Sequence, residues 1–68
     1  MNSSPATFFA CPCCGEQTVS ELGVYEICPI CLWEDDPTQS MDPEYKGGAN
    51  DCSLVEARGK WLLRKNSP

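Results

Sequence analysis

Six cysteines in 68 residues carry the chemistry of this chain, and four of them recur in one pattern. Cys11-Pro12-Cys13-Cys14-Gly15 and Cys28-Pro29-Ile30-Cys31 each hold two thiols at C-x-x-C spacing, with proline directly after the first. Two such pairs, separated by 13 residues, are a strong zinc signature, whereas either alone would be weak. The reason lies in the turn. Two thiolates share one tetrahedral ion at Zn–S distances of ~2.3 Å only if the residues between them reverse tightly and aim their backbone N–H groups at the sulfurs. Proline presets φ for that reversal, and a glycine after the second cysteine takes positive φ without steric cost. The first turn, closed by Gly15, is a zinc knuckle by construction; the second, followed by Leu32, lacks the glycine and is the less ideal half. The expected metal ligands are therefore Cys11, Cys14, Cys28 and Cys31. Cys13 occupies the variable position and reads as a partly buried small residue, with exchange against Cys14 or a reactive thiol as its alternatives. Cys52 reads as a small core residue rather than a fifth ligand.

Four sulfurs close the coordination shell and leave no position for a catalytic water. The expected cofactor is one structural Zn2+, with an apparent binding free energy of roughly 10–16 kcal/mol by analogy with zinc-finger peptides. Iron in a rubredoxin-like site uses the same four thiolates and stays open as the alternative ion. A disulfide framework requires an oxidising compartment, and residues 1–10 show neither a basic region nor an apolar run of secretory type; a cytoplasmic location is expected, where closely spaced thiols bind metal more often than they pair. Histidine is absent, which removes Cys-His pairs, Ser-His triads and histidine-containing zinc sites. No catalytic constellation is left, and the expectation is a protein that is not an enzyme. A thiol-based enzyme using Cys13 is the dissenting alternative.

The elements that position these thiols are small. A chain of this length supplies only about 3–5 kcal/mol from a single core, so a staple is expected. Residues 1–7 read as a flexible N-terminal tail and 8–65 as one zinc-ribbon-like domain. Two β-prone runs, 17–20 and 24–27, flank Glu21-Leu22-Gly23 and suggest a tight hairpin with glycine in its turn; closing it sets Cys14 beside Cys28. Residues 33–52 read as a long acidic loop. Ser53-Leu54-Val55-Glu56 has capping-box spacing and starts a helix over 53–65, whose stripe of Leu54, Ala57 and Trp61 faces the core and whose last turn carries Arg64 and Lys65. Arg58 is placed to reach an acid of the long loop. The fold class expected is a small, metal-stapled α+β domain: a zinc-ribbon-like β-hairpin with two Cys knuckles and one C-terminal helix packed across it.

Ten acidic and five basic side chains give a net charge of −5, and four thiolates (−4) around one divalent ion (+2) take it to −7. Such a surface repels phosphate backbones. The expected partner is a protein, and a basic one, with the acidic segment Trp33-Glu34-Asp35-Asp36 as docking surface and Trp33 as aromatic anchor. The blander reading, the one these residues favour, has Trp33 covering the metal site with a solvated acidic loop behind it. Nucleic-acid or transcription-associated binding, a habit of other zinc ribbons, is the alternative function, and no stretch approaches the ~20 apolar residues of a membrane span.

The residues Cys11-Pro12-Cys13-Cys14-Gly15, Tyr25-Glu26-Ile27-Cys28-Pro29-Ile30-Cys31 running into Trp33-Glu34-Asp35-Asp36, and Gly47-Gly48-Ala49-Asn50 followed by Ser53-Leu54 and Glu56-Ala57-Arg58 also form a set. On these the chain resembles the cysteine-rich CPCC family of small, mostly bacterial proteins, over about residues 8 to 62. The resemblance implies zinc held by the cysteine pairs and brings no assigned activity. Leu32 departs from it, since members often carry an aromatic residue or glycine there. The combined expectation is a structural-zinc, protein-binding module, an inhibitor or immunity-like partner of a basic bacterial protein.

Overall fold

The computed structural model describes residues 8–66; the predicted tail over 1–7 lies outside the described residues. The domain is a small α+β unit with the strands β1 (Phe9–Ala10) and β2 (Gln17–Val19) and the helices α1 (Pro37–Met41) and α2 (Leu54–Lys65). Strands β1 and β2 pair antiparallel, Phe9 opposite Val19 and Ala10 opposite Gln17, with an irregularity between Phe9 and Ala10.

A two-strand hairpin is thus present, with a different partner choice from the expected one. The run 17–20 pairs backward with 9–10, and 24–27 pairs forward with the residues after the second cysteine pair. Tyr25 N–H donates to Asp35 O at 3.0 Å, Asp35 N–H to Glu26 O at 2.9 Å, and Ile27 bridges Glu34. Each cysteine turn closes on its own flanks, which a C-x-x-C reversal favours because the residues on either side of it return side by side. Tyr25 sits at φ 64°, which interrupts extended backbone where the expected second strand would begin. Glu26 ties 24–27 to 17–21 by side chain instead of by ladder: its carboxylate accepts from Ser20 Oγ at 2.7 Å, Ser20 N–H at 3.1 Å and Glu21 N–H at 3.3 Å.

Residues 33–52 also depart from the expected open loop. Asp36 caps α1, accepting from Thr38 N–H at 2.8 Å, and Pro37 opens the helix where its missing N–H costs nothing. Gln39 is fully buried and uses all its hydrogen-bonding capacity. Its Nε2 donates to Tyr45 O at 3.0 Å and Cys52 O at 2.9 Å, and its Oε1 accepts from Asn50 N–H at 3.2 Å and Asn50 Nδ2 at 2.8 Å. A Cβ at Gly48 would run into Asp36 and, at 2.7 Å, into Gln39, so this backbone approaches the buried polar groups at a distance only glycine allows. The segment is a polar-cored substructure held by side chain to backbone bonds.

α2 forms as expected. Ser53 Oγ accepts from Glu56 N–H at 3.1 Å and Ser53 N–H donates to Glu56 Oε1 at 3.0 Å, which closes the capping box. Lys46 pairs with Glu56 at 3.3 Å at the same helix end. Leu54 is buried and Ala57 packs beside it, while Val55 and Leu62 face solvent. The helix meets the rest of the molecule at the cysteine core, and Arg58 reaches the first knuckle instead of a loop acid, its Nε donating to Pro12 O at 2.8 Å. The apolar core among the described residues is correspondingly minute: Cys11, Val19, Cys28, Trp33 and Leu54.

Candidate metal centre

The two cysteine turns have the same backbone plan. In the first, Gly15 N–H donates to Cys11 O at 2.9 Å and Cys11 N–H to Glu16 O at 2.8 Å. In the second, Leu32 N–H donates to Cys28 O at 2.8 Å and Cys28 N–H to Trp33 O at 2.9 Å. Gly15 has φ 83° and Leu32 has φ 68°. Both turns need a left-handed residue after the second thiol, and the second turn uses a leucine for it.

These turns face each other and bring the Sγ atoms of Cys11, Cys14, Cys28 and Cys31 within 4.8 Å of one another. Cys11 and Cys31 lie 3.5 Å apart and Cys14 and Cys28 3.8 Å. Sulfurs at the corners of a tetrahedron with ~2.3 Å bonds to its centre are ~3.8 Å apart, so the tetrad has the dimensions of a four-thiolate metal site. All six cysteines are free thiols, four of them in this cluster. Ile30 N–H points at Cys28 Sγ at 3.4 Å, the kind of backbone contact that orients a ligating thiolate.

Electrostatics at the tetrad call for a cation. Burial pushes the Cys11 thiol up to about 11 and the Cys31 thiol up to about 12, and raises Cys14 as well. Cys28 is the exception: burial pushes it up too, but Thr18 Oγ1 at 3.1 Å and the backbone N–H groups of Cys31 and Ile30 outweigh that and bring it down to about 6. One thiolate is thus prepared by hydrogen bonds, and the others require the charge of a bound ion to ionise together. Cys28 and Cys11 are buried and Cys14 and Cys31 half-buried.

Cys13 stands outside the tetrad and packs, half-buried, against the core. Burial raises its thiol above the ordinary value, which works against a thiolate nucleophile. Cys52 is half-buried outside the core cluster, so the expectation of a core residue does not hold; its carbonyl serves Gln39.

The docking residues read from the sequence need correction. Trp33 is 3%, Asp35 2% and Asp36 4% exposed. Trp33 belongs to the core cluster beside the cysteines, as a cover for the site and not an anchor for a partner. Asp35 accepts from Gly23 N–H at 2.7 Å and Ser40 Oγ at 3.2 Å, and Asp36 spends its second oxygen on Ala49 N–H at 2.9 Å. The Ala49 N–H, with further backbone donors of α1, holds the Asp36 carboxyl below its ordinary range. Glu34 is half-buried, its backbone clamped by Asn50, which donates from Nδ2 to Glu34 O at 2.8 Å and accepts at Oδ1 from Glu34 N–H at 2.9 Å. These acids build the frame behind the second knuckle. Sequence reasoning missed Gln39 and Asn50 as parts of that frame, although Asp36-Pro37 was a readable helix start.

Fold and site together define a small α+β protein organised around a cluster of four cysteines that could hold a metal ion. The family model described as Cysteine-rich CPCC matches residues 9–62, and the chain belongs to that family. No curated protein matches it. No helix among the described residues is long and apolar enough to cross a membrane.

Proposed function

We propose that the chain is a zinc-ribbon-like, non-enzymatic module that binds another protein, with Zn2+ as a purely structural ion. The observation that carries this reading is the closed tetrad, four thiols within 4.8 Å of one another, which completes a tetrahedral shell and leaves no coordination position for substrate or water. The surface supports a binding role. Thirteen large apolar side chains, Val24, Tyr25 and Ile27 among them, are 41% exposed or more, against five buried in the core. Val24, Tyr25 and Ile27, close together on one segment and each about half exposed, offer apolar contact to a partner.

The partner is basic, an inhibited or neutralised protein of the cell that makes this chain. Asp35 and Asp36 do not supply the attraction directly, but Glu16, Glu21, Asp42, Glu44 and Asp51 are exposed and carry the net charge of −5 to the surface. That charge also disfavours nucleic acid.

Affinity capture with the zinc-loaded protein, set beside the double variant Tyr25→Ser/Ile27→Glu, tests the reading. A stoichiometric protein partner released by salt and lost in the variant is the expected result. Capture of nucleic acid alone, or of no partner from the native cytoplasm, would overturn it.

A further inference from the structure

The charges of this chain are segregated along it. All ten acids fall within residues 16–56, and with Lys46 they leave that span at −9; Arg58, Lys60, Arg64 and Lys65, with no acid among them, leave 57–66 at +4. The cationic span is the body of α2, and that helix is held by one face only. Leu54 is buried and Ala57 and Trp61 are half-buried, while every other position from Val55 to Lys65 is exposed.

Val55, Gly59, Leu62 and Leu63 recur at i, i+4, i+7 and i+8, a second helical stripe that points away from the core. Val55 is 50%, Leu62 55% and Leu63 76% exposed, and a Cβ at Gly59 would meet nothing within 4 Å, so none of the described residues covers this face. Its borders are cationic. The turn of about 100° per residue sets Arg58 and Lys65 along one edge of the stripe and Lys60 along the other, with Arg64 one turn beyond Lys60. Glu56 is the one acid on the helix, and Lys46 pairs with it at 3.3 Å.

We infer that this face of α2 docks on an anionic phospholipid surface, lying in the plane of the interface and not across it, with Val55, Leu62 and Leu63 at the headgroup boundary and the flanking cations on the phosphates. The arrangement suits lipid in two ways. Long cationic side chains on both borders of a convex aliphatic stripe can reach a flat surface together, their stems running beside the leucines and their heads in the headgroup layer. Nucleic acid offers the same phosphates but gives the leucines nothing apolar to enter.

The acidity of the rest of the chain weakens this attraction without cancelling it. Asp51 and Cys31 line the cavity on the inner side of α2, under Trp61. A helix is about 10–12 Å across, more than the Debye length of about 8 Å at physiological ionic strength, so these charges act only feebly on the outer face. Lys60 and Arg64 line that cavity too and share their charge with Asp51, and the binding expected is therefore weak and lowered by salt. Tyr25 and Ile27 take no part in it, and the inference does not rest on the protein-binding reading above.

Sedimentation of the zinc-loaded protein with sucrose-loaded vesicles tests it, one set made of phosphatidylglycerol and phosphatidylcholine in equal parts and one of phosphatidylcholine alone. The protein should pellet with the anionic vesicles and stay in solution with the neutral ones. Partitioning should fall about tenfold in Leu62→Gln/Leu63→Gln and by a similar factor in Lys60→Gln/Lys65→Gln, all exposed positions, with the circular dichroism of the folded protein unchanged. No pelleting with anionic vesicles, equal pelleting with neutral ones, or a leucine variant that pellets as well as the parent would each overturn the inference, the last by showing a helix that attracts any polyanion.

Discussion

The two knuckles are near copies in hydrogen bonding and unlike in what they cost and what they lean on. The first is closed by Gly15 at φ 83°, where a Cβ would meet nothing within 4 Å, and it is completed by its own short hairpin, β1 with β2. The second is closed by Leu32 at φ 68° and completed by the bridge of Ile27 with Glu34 and the backbone bonds of Asp35 to Tyr25 and Glu26, without a regular strand pair. It needs outside help, which Asn50 supplies by clamping the Glu34 backbone and Gln39 by fixing Asn50. The first knuckle rests on its own hairpin, with Arg58 of α2 donating to Pro12 O; the other stands on a polar frame assembled from residues 34–52. The comparison teaches that a C-x-x-C turn tolerates a poor closing residue when the next segment is held by buried hydrogen bonds.

The largest effect belongs to what the knuckles share. Replacing any one of Cys11, Cys14, Cys28 or Cys31 by serine should abolish the folded state, because the proposed zinc ion would contribute roughly 10–16 kcal/mol, as in zinc-finger peptides, to a domain with a five-residue apolar core. Cys13→Ser and Cys52→Ser should keep it. Circular dichroism with and without chelator checks both halves, and loss of folding in Cys13→Ser would show a different ligand set.

Breaking the frame should separate the knuckles. Asn50→Ala strands the Glu34 N–H and C=O and leaves Gln39 Oε1 only the backbone N–H of residue 50, and should cost about 2–3 kcal/mol. Hydrogen exchange should accelerate at Cys28, Leu32 and Glu34 and stay slow at Cys11 and Gly15; equal acceleration in both turns would erase the distinction.

The closing residues should respond in opposite directions. Leu32→Gly relieves left-handed strain at a 67% exposed position and should stabilise by about 1 kcal/mol. Gly15→Ala introduces that strain and should destabilise by about 1–2 kcal/mol. Urea unfolding of the zinc-loaded variants measures both, and a loss of stability in Leu32→Gly would mean that the leucine side chain matters more than its backbone.

The smallest effect is a pH dependence. The Ser20 hydroxyl, then the Ser20 and Glu21 N–H groups, hold the Glu26 carboxyl below its ordinary range. A depressed carboxyl contributes stability that is present above its unfolded value, near ~4, and is lost as pH falls through the lower folded value. Glu26→Gln should therefore flatten the acid limb of the stability curve relative to the parent and change little at neutral pH. An unchanged acid limb would show that the contact does not matter in solution.

What was legible in the sequence follows the range of the interactions. Both knuckles and the capping box of Ser53 and Glu56 are settled within four or five residues, and their spacing says what they are. Strand pairing was read wrongly because partner choice for 17–20 and 24–27 depends on how each metal turn closes, not on the β-propensity of the runs. The acidic stretch was read as surface because composition cannot tell a solvated carboxylate from one that accepts backbone N–H groups thirteen residues away, as Asp36 does from Ala49. Gln39 and Asn50 carry no spacing signal at all; their roles exist only once the frame is folded.

Native mass spectrometry of the folded protein tests the central claim most directly. The account predicts one bound divalent ion per chain, lost together with the compact charge-state distribution when a chelator is added. A compact protein free of metal, with all four tetrad thiols reduced, would contradict it.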